Sequence, residues 1–333
     1  MAPRRDVLWI ALALIGATLL AACASRPSNQ TVAAHVAAAN EAAGPDFGAL
    51  TSLCEPAPAV PPPRELLDAM LKVQIGRPAP PPGRAFDNLY FVGAAWVSAW
   101  AITTSDGIIL IDALNDRAEA ASIIEAGLAK LGLDPARIKY VIVTHAHGDH
   151  YGGAAYLAAK YNARVVMSAP DWLMTETQLE YESAFWPAPP KRDIVAGDGQ
   201  SITLGDTAVL LRITPGHTLG TISPTFDVRD GGQTHRVLLW GGTSFDFGKN
   251  IARLGSYIDS AERMKRAAQV EHIDVLISNH AGVDGALDKL ETLRNQTSGD
   301  ANPFVLGTPR VVRALTVMQE CARAERDRFL MQP

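Results

Sequence analysis

The sequence predicts an α/β fold in which two β-sheets pack together and helices cover their outer faces. Short β-branched runs bounded by turn residues recur in both halves of the 333-residue chain. Segments whose apolar residues have helical spacing separate these runs. Because strands occur in groups and alternate with helices in both halves, two packed sheets with external helices are the expected arrangement. Hydrophobic residues make up 47% of the chain, which is enough for a sizeable core.

The predicted elements of the sandwich begin near residue 86. The segment 118–131 carries Ile123, Ile124 and Leu128 on one helical face, and the β-branched run 140–143 is typical of a buried strand. Strands are predicted at 89–92, 95–103, 107–111, 140–143, 164–167, 201–204, 208–214, 221–228, 237–240 and 274–277. Helices are predicted at 64–74, 118–131, 152–161, 256–270, 284–294 and 308–328.

Residues 1–23 have the organisation of an export signal. Arg4 and Arg5 precede an apolar run from 7 to 22, and Leu-Ala-Ala then precedes Cys23. This pattern resembles a bacterial lipoprotein signal, in which Cys23 becomes the lipidated first residue of the mature chain. A cleaved secretory signal is the alternative, and an uncleaved anchor is disfavoured because the run is short for a membrane span. We therefore expect a periplasmic domain whose membrane contact is a lipid anchor on Cys23, or else a secreted domain.

An Ala- and Pro-rich extension, residues 24–84, precedes the main domain, residues 85–333. The prolines of the extension interrupt any long helix. Export places the chain in an oxidising compartment, where Cys54 and Cys321 are the remaining pair once Cys23 is lipidated. We favour a disulfide between them, and two buried free thiols are the alternative.

The charge of the chain is nearly balanced, with 30 Lys+Arg against 35 Asp+Glu and a formal net charge of −5. No basic excess indicates a nucleic-acid partner, and no block of like charge marks an interaction tail. A small molecule is therefore the expected partner, and the sequence does not indicate an oligomeric state.

Three histidines and an aspartate lie within six residues, directly after a predicted buried strand, in the run His145-Ala-His147-Gly-Asp149-His150. Alternate side chains of an extended segment share a face, so His145 and His147 can reach one metal ion. Gly148 lets the backbone turn sharply, so that Asp149 and His150 can reach a second ion beside the first. Clustering so many ionisable groups is costly unless they are paired, and zinc takes these donors.

Two further histidines also follow predicted strands. His217 lies in a Pro-Gly-His-Thr turn, and His280 lies in an Asn-His-Ala-Gly turn. Together with the first cluster, they supply the five histidines and one aspartate that two Zn²⁺ ions would need. His35, His235 and His272 have no such setting and are not assigned to the site.

These motifs resemble the metallo-β-lactamase fold superfamily across about residues 86–321. The run 107–112, a strand that ends in Asp112, also matches the superfamily pattern. The resemblance implies an αββα four-layer sandwich of two mixed β-sheets flanked by helices, with metals at one edge, and makes 85–333 a hydrolase domain. It also implies two Zn²⁺ sites, one formed by His145, His147 and His217 and the other by Asp149, His150 and His280.

One position distinguishes members of the superfamily. Glyoxalase-type thioesterases and many lactonases carry a bridging aspartate where this chain has Gly-Gly-Thr243. The third, histidine-rich dizinc subclass of class B β-lactamases has a serine there, and this chain is most similar to that subclass. Phe245 departs from the subclass pattern, because a second hydroxyl is usual there. Lys249 and Arg253 are the candidate cations for a substrate carboxylate.

The resemblance implies a zinc-dependent hydrolase that opens a cyclic amide by attack of a hydroxide shared by two zinc ions. Asp149 would be both a metal ligand and the catalytic group that orients the hydroxide, and Asp112 would fix a ligand histidine. Thr243, Thr218 and Trp186 are expected beside the metals or the substrate, although simple packing under a loop would equally explain Trp186. Hydrolysis of a lactone or thioester by the same metals is the alternative function. A non-catalytic periplasmic zinc-binding lipoprotein is the third possibility.

Overall fold

A computed structural model describes residues 27–297 and 299–332, so the predicted signal and Cys23 lie outside the described residues. The described helices are α1 Asn29–Ala43, α2 Arg64–Ile75, α3 Arg117–Glu119, α4 Ala126–Lys130, α5 Gly148–Tyr151, α6 Ala154–Tyr161, α7 Ala169–Thr177, α8 Ile251–Val270, α9 Ala281–Asp284, α10 Ala286–Asn295 and α11 Thr308–Met331. A π-helical stretch, Ala120–Glu125, joins α3 to α4, and 3-10 helices occupy Gly48–Cys54 and Pro135–Arg137. Within the described residues, no helix is both long and apolar enough to cross a membrane.

Twelve described strands form two mixed sheets. The first sheet contains, in spatial order, β1 Gly83–Phe86, β2 Leu89–Phe91, β3 Trp100–Thr103, β4 Ile108–Ile111, β5 Ile138–Ile142, β6 Arg164–Ser168 and β7 Ile194–Ala196. The second contains β8 Ser201–Leu204, β9 Thr207–Leu210, β10 Thr225–Asp230, β11 Gln233–Trp240 and β12 Val275–Ser278, in the spatial order β12-β11-β10-β9-β8. Strands β1 to β4 pair antiparallel and β4 to β7 pair parallel. In the second sheet only the β11–β12 pair is parallel.

The core has three apolar layers that correspond to the three interfaces of a sandwich. Between the sheets, Phe91 and Trp100 of the first sheet belong to the same buried cluster as Phe226 of the second. A second cluster joins the outer face of β11 and β12 to α1, α8 and α11. A third joins the outer face of the first sheet to α4, α6 and α7. The predicted αββα sandwich is therefore confirmed.

Part of the predicted extension belongs to the helical layer of this sandwich. Helix α1 begins at the N-cap Ser28, whose hydroxyl accepts a hydrogen bond from the Thr31 amide, and its buried Ala39 and Ala43 join the cluster on the second sheet. Such a capping box favours a helix start, although the sequence analysis predicted no helix there. The structure also joins Cys54 to Cys321 by a disulfide.

Several predicted strands are shorter in the structure because the chain leaves the sheet to reach the edge that carries the histidines. The predicted strand 208–214 ends at Leu210, and the predicted strand 221–228 begins only at Thr225. Between them, an isolated bridge from Ile213 to Ile222 closes the loop that presents His217.

The carboxyl ends of four strands meet at this edge. Strands β4 and β5 run parallel, as do β11 and β12, so each pair ends on the same side of its sheet. Asp112 follows β4, the first histidine run follows β5, Thr243 follows β11 and His280 follows β12. The topology thus places all the sequence-predicted motifs around one cleft.

Candidate metal centre

The first group of side chains that could hold a metal ion consists of His145, His147 and His217, all of them buried. The Nε2 atom of His217 lies 3.1 Å from Nε2 of His145 and 3.2 Å from Nδ1 of His147. We call this group the His145 triad. Three ring nitrogens therefore converge on one point from two separate loops.

The second group consists of Asp149, His150 and His280, and we call it the Asp149 triad. The Asp149 Oδ2 atom lies 3.3 Å from Nε2 of His150 and 3.8 Å from Nε2 of His280. The ring centroids of His145 and His150 are 4.2 Å apart, so the two triads are neighbours.

The opposite ring nitrogens of the ligand histidines contact oxygen atoms, which fixes where their protons lie. Carbonyl and carboxylate oxygens only accept, so the contacting ring nitrogen must donate. The pairs are His145 Nδ1 with Gly241 O at 2.8 Å, His217 Nδ1 with Ser244 O at 3.0 Å, His280 Nδ1 with Trp96 O at 3.0 Å, His150 Nδ1 with Asp112 Oδ2 at 2.9 Å and His147 Nε2 with Glu180 Oε2 at 3.2 Å. An imidazole held in this way turns its other ring nitrogen towards its triad, where the lone pair of that nitrogen can bind a metal ion once it carries no proton.

This arrangement of side chains suits a divalent cation, and it is electrostatically unfavourable when no cation is bound. In the His145 triad three lone pairs face each other at hydrogen-bond distance with no proton between them, which is repulsive unless a cation lies at the centre. In the Asp149 triad the buried Nε2 of His150 has no hydrogen-bond partner among the described residues. Histidine nitrogen and carboxylate oxygen are donors that zinc accepts.

Burial and the neighbouring histidines favour the neutral form of two rings of the His145 triad, His145 and His217. Burial, followed by the nearby histidines, lowers the pKa of His145 well below its usual range. Burial and then the neighbouring His147 lower the pKa of His217 to about 4. Both rings are therefore unprotonated at neutral pH and ready to bind a metal.

The Asp149 triad has the opposite electrostatics. Burial alone would lower the pKa of His150, but the carboxylates of Asp149 and Asp112 outweigh it and raise the pKa to about 10. Burial would raise the pKa of Asp149, but His150 holds it well below the usual range for a carboxyl. A cation at Nε2 of His150 would take the place of that proton between the two carboxylates.

Asp112 connects β4 to the histidine run. It accepts hydrogen bonds from the Thr144 amide at 2.7 Å and the Thr144 hydroxyl at 2.9 Å, in addition to the one from His150. Its φ of +63° is one that non-glycine residues rarely adopt. The structure therefore places Asp112 behind a metal-binding histidine, and strained backbone of this kind occurs at functional sites.

Asn279 is a supporting residue that the sequence analysis missed. Its amide nitrogen donates to the Gly241 carbonyl at 2.7 Å and to the Thr144 hydroxyl at 2.9 Å. This buried side chain thereby joins the loops that follow β5, β11 and β12. Its position next to His280 at a strand end was the available sequence signal.

A partly buried ion pair lies behind His147, and it was not predicted from the sequence. Glu180, which accepts from Nε2 of His147, pairs with two nitrogens of Arg253 at 2.5 and 2.8 Å. The Nε of Arg253 donates to the Gly216 carbonyl at 2.7 Å, next to His217. Burial would raise the pKa of Glu180, but His147 and Arg253 lower it to about 2. The pair therefore holds two ligand loops of the His145 triad together.

Neither candidate cation for a substrate carboxylate lines the cleft. Arg253 is engaged by Glu180, and the exposed Lys249 donates to the Gln332 carbonyl at 3.0 Å. Neither residue belongs to the described lining of the cleft, so their assignment as carboxylate-binding groups stays a prediction.

Of the remaining predicted residues, Thr218 supports the histidine run and Thr243 lines the cleft. The buried Thr218 hydroxyl donates a hydrogen bond to the Asp171 carboxylate at 2.9 Å. The same carboxylate accepts a hydrogen bond from the Ala146 amide, so Thr218 is linked to the histidine run through Asp171. Thr243 lines the cleft, and its buried hydroxyl has no partner among the described residues.

Trp186 covers the turn of the histidine run. A Cβ atom on Gly148 would lie 2.1 Å from the Trp186 ring, so only glycine permits this close approach. The indole nitrogen of Trp186 donates to the Asn115 side chain at 3.0 Å. Trp186 therefore forms one wall of the cleft.

Both triads open into a cavity of about 320 Å³. This volume is within the range of small-molecule sites in proteins. Its aromatic lining residues are Trp96, Tyr181 and Trp186, and residues of helix α2 line it as well.

The sequence resembles one known protein family and, over shorter segments, several characterised proteins. Residues 95–230 match the model of the metallo-β-lactamase superfamily. A hydroxyacylglutathione hydrolase of Acidiphilium cryptum is 38% identical over 114 residues, which cover 34% of this chain and 40% of the relative. A second hydroxyacylglutathione hydrolase, from Rhodopseudomonas palustris, is 33% identical over 142 residues, which cover 43% of this chain and 46% of the relative. The matched segments thus span less than half the length of these relatives.

Solved structures match over most of their length. BJP-1, a subclass B3 metallo-β-lactamase of Bradyrhizobium japonicum, has a TM-score of 0.57 and 29% identity, covering 71% of this chain and 90% of its own. A Cronobacter sakazakii metallo-β-lactamase with an HARLDQ motif has a TM-score of 0.64 and 26% identity, and the match covers 84% of this chain and 98% of that protein. The chain therefore carries a metallo-β-lactamase superfamily domain, and subclass B3 metallo-β-lactamases are among its structural neighbours.

Proposed function

We propose that the protein is a zinc-dependent hydrolase that opens a cyclic amide, with one zinc ion held by each triad. The observation that carries the proposal is the convergence of three ring nitrogens in the His145 triad, directly beside the Asp149 triad and open to a cavity. When bound, zinc lowers the pKa of water towards about 7 and polarises a carbonyl oxygen.

The side chains of the cleft have distinct roles in this proposal. Asp149 is ionised at neutral pH and lines the cavity, so its carboxylate accepts a hydrogen bond from the attacking water and orients it towards the substrate. Asp112 fixes the ring of His150, and Glu180 fixes the ring of His147. Trp186 and Tyr181 limit the access of bulk water to the carbonyl.

Two observations favour a cyclic amide. The structural neighbours include proteins named as subclass B3 metallo-β-lactamases. In addition, Thr243 stands where a bridging carboxylate would be expected in a thioesterase. Thr243 lines the same cavity as the triads, and its buried hydroxyl has no partner among the described residues.

Hydrolysis of a thioester or lactone is the second candidate. The curated relatives are named hydroxyacylglutathione hydrolases, at up to 38% identity over a partial match. The described residues that line the cavity also include no lysine or arginine that could bind a β-lactam carboxylate. The same metals and the same orienting carboxylate would serve this reaction.

Metal analysis combined with a substrate panel tests the proposal. We expect the zinc-loaded protein to hydrolyse at least one β-lactam, lactone or thioester. His147→Ala should lose zinc and activity, whereas His272→Asn, at an exposed position with a φ of +54° that asparagine tolerates, should keep both. Wild-type turnover by His147→Ala would refute the site, and stable zinc occupancy without any turnover would favour a non-catalytic metal-binding protein.

We further propose that the mature chain is a periplasmic protein attached to the membrane by lipid on Cys23. The Cys54–Cys321 disulfide supports an oxidising compartment. Labelling of the protein with a radioactive fatty acid in a bacterial host tests this location, with Cys23→Ala as the control. Label on the control, or none on the wild type, would overturn the lipid anchor and favour plain secretion.

A further inference from the structure

One wall of the cavity comes from the segment that precedes the sandwich. Leu53, near the end of the first 3-10 helix, and Pro62 lead into α2, whose Leu67, Met70 and Leu71 line the same cavity as the triads. The chain therefore adds an apolar wall to its own metal site.

The described lining of the cavity contains few charged side chains apart from the proposed metal ligands. Among the described residues that line the cavity, none is lysine or arginine. Apart from the proposed metal ligands, the one ionisable carboxyl in that lining is Asp246, which accepts from the Ser244 hydroxyl at 2.8 Å. Arg253 is held by Glu180 behind the ligand histidines.

The chemistry of the walls discriminates between substrates. Bound metal ions would attract the reacting carbonyl, but the rest of the described lining is mostly apolar and aromatic. Its polar side chains, which include Gln74 of α2, Ser244 and Asp246, offer no cation to a substituent. A carboxylate placed there would lose its hydration without gaining a partner. An aliphatic or aromatic substituent would instead bury its surface favourably.

We propose that the substrate is a neutral carbonyl compound whose apolar side chain packs against α2. This inference rests on the proposed hydrolytic function and adds the substrate class to it. Carboxylate-bearing β-lactams and anionic thioesters are then poor substrates, whichever carbonyl bond is cleaved.

Hydrolysis of a homologous series tests the substrate class. The zinc-loaded protein would be offered γ-lactones with unbranched side chains from ethyl to octyl, and the same lactones with a terminal carboxylate. We expect kcat/KM to rise about fourfold for each added methylene until the cavity is filled, and to fall at least about tenfold when the chain ends in a carboxylate. Equal rates along the series would overturn the inference but leave the proposed hydrolase intact, whereas hydrolysis of no lactone, β-lactam or thioester would overturn the proposed function itself.

Two matched variants of α2 locate the effect. Met70 lines the cavity and is 55% exposed, whereas Val73 is 68% exposed on the same helix and does not line it. Met70→Lys should flatten the chain-length dependence and raise turnover of the carboxylated lactones, and Val73→Lys should change neither. Equal effects of both substitutions would overturn the role of this wall.

A binding measurement tests the wall independently of catalysis. Calorimetric titration of the metal-free protein with octan-1-ol and with octanoate compares a neutral chain with an anionic one of equal length. We expect octan-1-ol to bind at least about tenfold more tightly than octanoate, and Met70→Lys to reverse this order. Failure of octan-1-ol to bind, or tighter binding of octanoate by the wild type, would overturn the inference even if the protein is an active hydrolase.

Discussion

Replacing Glu180 with glutamine removes one negative charge from behind the His145 triad and leaves the shape of the side chain nearly unchanged. Glu180 accepts from Nε2 of His147 at 3.2 Å and binds Arg253 through two contacts at 2.5 and 2.8 Å. The side chains of the pair are only 13% and 10% exposed, so solvent screens their attraction weakly.

The expected effects follow from this burial. Loss of a carboxylate partner behind a metal-binding histidine typically weakens metal affinity by about 10–100-fold, and we expect Glu180→Gln to weaken the first zinc site by that amount. Leaving Arg253 buried without its counter-charge should lower the free energy of unfolding by about 3 kcal/mol. Because Arg253 also holds the Gly216 carbonyl, Arg253→Gln should weaken the same zinc site.

Chelator competition measures the zinc affinity, and urea unfolding of the metal-free protein measures the stability. Glu176→Gln is the matched control, because Glu176 pairs with Arg192 at an exposed position away from the triads and should change neither quantity measurably. A double-mutant cycle of Glu180→Gln with Arg253→Gln should show a double variant that loses much less than the sum of the single losses. A zinc affinity within twofold of the wild type in Glu180→Gln would refute the reasoning.

Three further predictions concern the scaffold of the site. Replacing Cys54 and Cys321 with serine should lower the free energy of unfolding by about 5 kcal/mol in denaturant titrations, because the bridge closes a loop with a sequence separation of 267 residues, and unchanged stability would contradict this. Burial raises the pKa of the Asp171 carboxyl to about 6, so the unfolded chain loses this proton first as pH rises. The stability of the metal-free protein should therefore fall by about 3 kcal/mol between pH 4 and 6 and then level off, and Asp171→Asn should flatten this slope in pH-dependent unfolding. Gly148→Ala should displace the Trp186 ring, lowering stability by about 1–3 kcal/mol and reducing turnover, and a crystal structure with the ring unmoved would refute the close contact.

The sequence predicted those features of the site that depend on residues close together in the chain. The strand ends that precede Asp112, His145 and His280 follow from β-branched runs and turn residues, and the layered fold follows from their order. The ligand spacing within the histidine run was sufficient to assign its residues to the two triads.

The supporting contacts were not predictable, because they join residues far apart in the chain. Glu180 lies in a loop without periodic pattern, and 73 positions separate it from Arg253. Either residue alone looks like an ordinary surface charge. Helix α1 was missed because its Ala-rich sequence lacks the apolar periodicity that identifies an amphipathic helix, although its capping box was visible at Ser28.

The apolar wall of the cavity was missed for a related reason. The sequence analysis predicted a helix over most of α2 but placed it in an extension outside the main domain. Its position in the lining of the cavity depends on how the preceding chain crosses the surface of the sandwich, and tertiary packing alone decides that path.

Native mass spectrometry of the zinc-reconstituted protein tests the central claim most directly, because it counts bound metal ions without any assumption about the substrate. The two triads predict two zinc ions in the wild type and one in each of the variants His217→Ala and His280→Ala. A wild type that binds a single zinc ion, or variants that still bind two, would contradict the assignment of one ion to each triad.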